Sequence, residues 1–167
     1  DVVYAACHYE HVTPAYASKQ DYVLHLASDA KHKRTRRLLD LWRLGLAAQR
    51  DLPRLVLIGA LSEELAAYAR ATTHVEVLPR QPEASLVAYY QNARAVLVPS
   101  EIEGFGLPVL EAYALGSPAC YTLGTSMEEV LAHYTSVGGF DLDVPDSFWT
   151  DLDAALSMKP ADIEAIR

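Results

Sequence analysis

Two carboxylates bracket a glycine-rich turn in the stretch Glu101-Ile102-Glu103-Gly104-Phe105-Gly106-Leu107-Pro108-Val109-Leu110-Glu111. Gly104 and Gly106 let backbone amides approach a ligand closely, and the exposed N–H groups of a helix start carry partial positive charge. Phosphate is the natural guest of such a turn. A carboxylate beside an anion site is counterproductive unless it serves another group, and accepting hydrogen bonds from sugar hydroxyls is such a service. Glu103 precedes the helix and Glu111 is expected in its first turn, so both can face one cleft at different depths. In isolation the same residues also suit an ordinary junction, because the helix dipole favours Glu in a first turn and Gly-x-Gly is common in turns.

A second cluster lies upstream. Lys31-His32-Lys33-Arg34-Thr35-Arg36-Arg37 holds five of the 14 basic residues. Cations at a helix amino terminus oppose the dipole, so this placement is either a solvated basic face or a sign that an anion is expected nearby.

The elements that must position these clusters alternate between strand and helix patterns, the signature of βαβ units around a parallel sheet. Tyr22 to Leu26, Leu55 to Ile58, His74 to Leu78, Ala95 to Val98 and Ala119 to Tyr121 read as short apolar strands, with a sixth near Ser136 to Phe140. Helices are expected from about Lys33 to Ala48, with Leu38, Leu39, Leu41, Trp42 and Leu46 as its apolar face, from Ser62, from Glu83 to Asn92, from Pro108 until Gly116 and Pro118 close it, and from near Ser126 and Pro145. Ser126 reads as an N-cap, with Glu129 placed for a capping box. The fold class is α/β, a Rossmann-like doubly wound parallel sheet, in which ligands bind beyond the carboxyl ends of the strands.

Glu103 to Gly116 resembles the E-x7-E motif of the retaining GT-B-fold glycosyltransferases grouped as family 4, also called glycosyl transferases group 1, whose usual wording is close to E-G-F-G-L-P-x-L-E-A-x-A-x-G. The resemblance runs from about Asp21 to Leu156 and corresponds to the carboxy-terminal, donor-binding half of that two-domain architecture. It implies residues 21–167 as a nucleotide-sugar donor-binding domain and residues 1–20 as an interdomain linker or the end of a preceding domain. It implies that Glu103 and Lys33 act in catalysis, Glu103 holding the transferred sugar, and that Glu111 holds the ribose hydroxyls. Gly104, Phe105, Gly106 and Leu107 would line the donor's diphosphate. Aligning on Arg36-Arg37-Leu38-Leu39 puts Lys33 on the family lysine and Ser28 where the family has an arginine. Serine lacks the bidentate charge of a guanidinium, so Lys31, Arg34 or the partner domain must compensate, or diphosphate binding is weakened. Arg80, between Pro79 and Pro82, takes the place of a residue that meets the nucleobase, although an ordinary exposed loop arginine explains it equally well.

The resemblance further implies a donor substrate in the form of a nucleotide-diphosphate sugar, no metal and no other cofactor, and an acceptor site on an amino-terminal domain absent from this sequence. It leaves room for peripheral membrane association through that domain; the cysteines, far apart and without disulfide spacing, make a cytoplasmic location the default, with the inner face of the membrane as an option. The fragment alone should be inactive.

Composition sets limits on the alternatives. A chain of 167 residues with 51% hydrophobic content can bury one sizeable core, and a net charge of −8 argues against nucleic acid as a partner. No apolar run approaches the roughly 20 residues that span a bilayer. Cys7 and Cys120 have no disulfide or metal spacing, and the His8/His11 pair lacks further ligands. Asp141-Leu142-Asp143 lies among loop residues and makes a poor metal-binding D-x-D. No G-x-S-x-G elbow, Walker A or strand-following G-x-G-x-x-G is present. Two readings remain besides the transferase: a nucleotide-sugar-binding or interaction module of the same fold that has lost transfer, which Ser28 favours, and a flavodoxin-like signalling domain, which leaves Glu103 to Glu111 unexplained.

Overall fold

The computed structural model describes residues 8–17 and 19–167. Its six strands, β1 (Tyr22–Leu26), β2 (Arg54–Ile58), β3 (Val75–Leu78), β4 (Ala95–Val98), β5 (Ala119–Thr122) and β6 (Gly139–Phe140), form one sheet in the order β3-β2-β1-β4-β5-β6. All pairings are parallel, with Leu24 opposite Val56 on one side and Val96 on the other. Between β1 and β4 the winding direction reverses, which opens a crevice at the carboxyl ends of these two strands.

Alternate residues of each strand feed opposite faces of the sheet. Val23, Leu55, Leu57 and Leu97 pack with Leu38, Leu41 and Trp42 of α1 (Thr35–Ala47), Ala69 of α2 (Glu63–Arg70) and Phe148 and Leu152 of α6 (Pro145–Leu156). Leu24, Val56 and Val96 pack with Tyr90 of α3 (Glu83–Asn92), Val109 and Ala112 of α4 (Leu107–Ala114), Met127 of α5 (Ser126–Leu131) and Ile163 of α7 (Pro160–Ile166). With both faces covered by helices, the strands must be apolar throughout, which is why they read as continuous runs. Among the described residues no helix is long and apolar enough to cross a membrane.

The structure departs from the sequence pattern at several element ends. The first helix starts at Thr35 rather than Lys33, because Lys31–Lys33 form a separate 3-10 turn that ends on Arg34 in the left-handed conformation, φ 53°. A side chain there costs about 1–2 kcal/mol, and the guanidinium offsets it by pairing with carboxylates on two other loops. Glu111 lies in the second turn of α4, not the first, because the helix begins at Leu107 behind Gly106. Thr125, not Ser126, precedes α5, and no side chain caps that helix. Glu128 rather than Glu129 reaches back, its Oε2 accepting from the Gly124 amide at 2.6 Å. The sixth strand shrinks to two residues, and α7 adds a helix that the pattern did not suggest.

Candidate functional site

The loops after β1 and β4 meet at the crevice between those strands. Three contacts join them: the Glu101 amide donates to the His32 carbonyl at 2.8 Å, Arg34 Nη1 lies 2.8 Å from Glu101 Oε1, and Lys33 Nζ donates to Glu103 Oε1 at 2.6 Å. The side chains of Lys33 and Glu103 are only 25% and 13% exposed, so water screens this pair poorly. From the other side, Ser126 Oγ donates to the Glu103 carbonyl at 2.9 Å and fixes the turn against α5. The residue expected as a cap is therefore a strut of the site.

The glycine turn then delivers α4. Gly106 has φ 77°, and a Cβ there would lie 2.7 Å from Met127 Cγ, so both its conformation and its surroundings demand glycine. Gly104 needs no special conformation, and the space beside its Cα is open. The N–H groups of Gly104, Gly106 and Leu107 donate to no acceptor among the described residues. Three donors at a helix start with no partner among the described residues, next to a lysine, are a group that can receive an anion.

The other basic residues are largely committed. Arg34 also grips Asp143 through Nη2, at 2.9 and 3.0 Å, and Arg37 Nε lies 3.3 Å from Asp143 Oδ1. Asp143 thus serves as an anchor for the basic loop. The guanidinium carbons of Arg36 and Arg43 lie 3.5 and 3.7 Å from the centroid of the Tyr68 ring. Lys31 is exposed and makes no ion pair among the described residues. Ser28 brings no charge: its hydroxyl accepts from the Ala30 amide at 3.4 Å, and its carbonyl lies 3.1 Å from Thr35 Oγ1. The compensation expected of Arg34 is already taken up by Glu101 and Asp143.

Glu111 is held apart from this group. Its Oε2 accepts from Tyr90 OH at 3.0 Å, and burial raises its pKa despite that bond and the influence of His8. Phe105 lines a separate cleft of about 700 Å³ with Leu110, Tyr113 and Tyr134. Arg80 follows β3, two strands from β1 at the sheet edge, and is exposed without an ion pair among the described residues. Of the residues singled out in the sequence, the fold brings together Lys33, Glu103, Gly104, Gly106, Leu107 and the Ser28 loop, and it leaves Phe105 and Arg80 outside that group. Cys7 lies outside the described residues, and Cys120 is fully buried, its thiol pushed up by desolvation.

Two polar residues beneath the site escaped the sequence reading. His25, on β1, is buried; its Nδ1 lies 2.9 Å from the Leu97 carbonyl, which requires it to donate, and its Nε2 faces Thr35 Oγ1 at 3.1 Å. Ser100 is buried with no partner for its hydroxyl among the described residues. Together with Lys33 and Pro108 they border a cavity of about 10 Å³, the size of one water. A histidine in the middle of an apolar strand was the available signal.

A model described as glycosyl transferases group 1 matches residues 10–160. The chain belongs to that family. It is 38% identical over 120 residues to the D-inositol 3-phosphate glycosyltransferase of Mycolicibacterium paratuberculosis, covering 70% of this chain and 24% of that protein. Among solved structures, this group 1 chain is similar to an alpha,alpha-trehalose-phosphate synthase (UDP-forming) from Burkholderia vietnamiensis, with a TM-score of 0.72 at 16% identity over 89% of this chain and 37% of that one. It is also similar to a structure described as trehalose-6-phosphate from E. coli bound with UDP-2-fluoro glucose, with a TM-score of 0.68 at 16% identity over 89% and 39% of the two chains. Such identities establish a shared fold, that of the GT-B glycosyltransferases. The chain spans about a quarter of the length of the curated relative.

Proposed function

We propose that this group 1 chain is the donor-binding domain of a retaining glycosyltransferase and binds a nucleotide-diphosphate sugar in the crevice between β1 and β4. The observation that carries the reading is the set of amides of Gly104, Gly106 and Leu107, without partners among the described residues, beside the Lys33–Glu103 pair. A diphosphate fits these donors. Lys33 exchanges part of its bond with Glu103 for a phosphate oxygen, and Glu103 then accepts from hydroxyls of the sugar. As the glycosidic bond breaks, charge grows on the leaving diphosphate, and fixed amides and an ammonium at that place stabilise it without reorganisation. Glu111 takes the ribose hydroxyls and Arg80 a place near the base. The proposal includes a reaction without metal, an acceptor site on a further domain and a cytoplasmic location. On this reading the chain alone binds donor but transfers nothing.

A second reading is favoured by one observation: with Ser28 neutral and Arg34 tied to Glu101 and Asp143, Lys33 is, among the described residues, the one cation paired with Glu103. A module of this fold that binds nucleotide sugars without transfer matches that deficit. Calorimetry with UDP, GDP and ADP tests the common ground of the two. At least one should bind at millimolar concentration or tighter, and Lys33→Ala should weaken it about tenfold, the scale of one charge-assisted hydrogen bond. No binding by any of the three at millimolar concentration sinks both readings.

A further inference from the structure

Glu111 is an unusual residue to find half-buried on α4. No lysine or arginine pairs with it among the described residues, its Oε1 accepts no hydrogen bond from them, and its Oε2 is held by a single neutral donor, the phenol of Tyr90. Tyr90 is fully buried near the end of α3. A tyrosine there contributes apolar area, and phenylalanine would contribute as much. The hydroxyl adds the bond to Glu111.

The position of that hydroxyl is tightly determined. Ser117 Oγ lies 2.6 Å from the Tyr90 carbonyl and 3.0 Å from that of Ala93. Lys19 Nζ donates to Gln91 O at 2.6 Å, Gly116 O at 2.7 Å, Ala15 O at 2.6 Å and Ser117 Oγ at 2.9 Å. The last turn of α3 is therefore clamped to the end of α4, through the residues that follow both helices. With both backbones fixed, the phenol can meet only one oxygen of Glu111, and the rotation of the carboxylate is set.

We infer that Tyr90 is a positioning residue that orients Glu111 so that Oε1 faces the ligand, and that through this bond it sets the preference of the site for a nucleotide carrying ribose hydroxyls. The inference rests on the reading of Glu111 as the ribose-binding carboxylate. A carboxylate oxygen accepts from a vicinal diol well only when its plane is fixed, because a rotating group loses freedom on binding. Tyr90 removes that loss in advance. The Tyr90 bond and His8 both oppose the rise in the Glu111 pKa that burial causes.

Tyr90→Phe is the test, because it removes one oxygen and leaves the packing volume intact. Affinities are measured for whichever of UDP, GDP and ADP binds tightest and for its 2′,3′-dideoxy analogue, with the wild type, Tyr90→Phe and Glu111→Ala, and the melting temperature of each variant is recorded. The wild type should prefer the ribose form. Tyr90→Phe should lose about tenfold in affinity for the ribose nucleotide and little for the dideoxy analogue, so that the preference collapses, and the acid limb of binding should move to higher pH. Equal losses for both nucleotides would show a packing role and overturn the inference. So would a preference retained in Tyr90→Phe but abolished in Glu111→Ala, which would leave the ribose reading of Glu111 standing. If Glu111→Ala itself leaves the preference unchanged, the ribose reading fails and the inference falls with it.

Discussion

His25 should make this fold acid-sensitive over a defined interval. In the unfolded chain its imidazole takes up a proton near the ordinary value of 6.5, whereas in the folded chain desolvation lowers the pKa to about 4, with the Leu97 carbonyl and Glu103 opposing the shift and Lys33 adding to it. Between these values the unfolded state binds more protons, so stability is complete above about pH 6.5 and is lost as the pH falls towards 4. A difference of about 2.5 units at about 1.4 kcal/mol each amounts to about 3 kcal/mol. That is a large fraction of the 5–15 kcal/mol typical of domains. Glu111 and Asp151, whose pKa values are raised by burial, act in the opposite sense, so the quantity to measure is the difference between wild type and His25→Gln. Urea unfolding at pH 7 and pH 4.5 gives that difference. The wild type should lose more stability than the variant by about 2–3 kcal/mol, although the variant starts lower because its amide cannot reproduce both bonds. Imidazole NMR provides a direct check: a neutral ring protonated on Nδ1 at pH 6. Equal acid losses in both proteins, or a ring that titrates near 6.5, would refute the argument from burial.

The two carboxylates should separate in binding experiments. Glu111→Ala should weaken nucleotide and nucleotide sugar alike, and Glu103→Ala mainly the nucleotide sugar, each by about 1–3 kcal/mol; equal losses for both ligands in both variants would refute the division of roles. Ser28→Arg should strengthen binding of the nucleoside diphosphate in calorimetry by restoring a bidentate donor, about tenfold if its fork reaches two phosphate oxygens. No gain in a variant that still melts cooperatively would place the diphosphate elsewhere.

Much of the frame was legible without coordinates. The buried parallel strands announce themselves as short apolar runs, the helix between Pro82 and Ala93 ends where the sequence places it, and the glycine turn before Pro108 marks the start of α4. These features are local, because propensity, capping and the apolar period are set by residues within one or two turns of each other. The pattern also singled out Glu103 in the glycine turn, and the family resemblance singled out Lys33 within the basic cluster, as candidates.

Their meeting was decided by the fold. Lys33 and Glu103 are 70 residues apart, and the contact follows from β1 lying beside β4, which no local pattern encodes. The same holds for Arg34, whose basic charge reads as available for an anion until Glu101 and Asp143 are found around it. It holds for Tyr90, an ordinary aromatic on a helix until α4 places Glu111 against its hydroxyl. A sequence lists which groups are charged or polar; whether a charge is committed, buried or open to a ligand depends on the dielectric and the partners that tertiary packing supplies, and here packing among the described residues gives the turn amides no acceptor while it closes round Arg34.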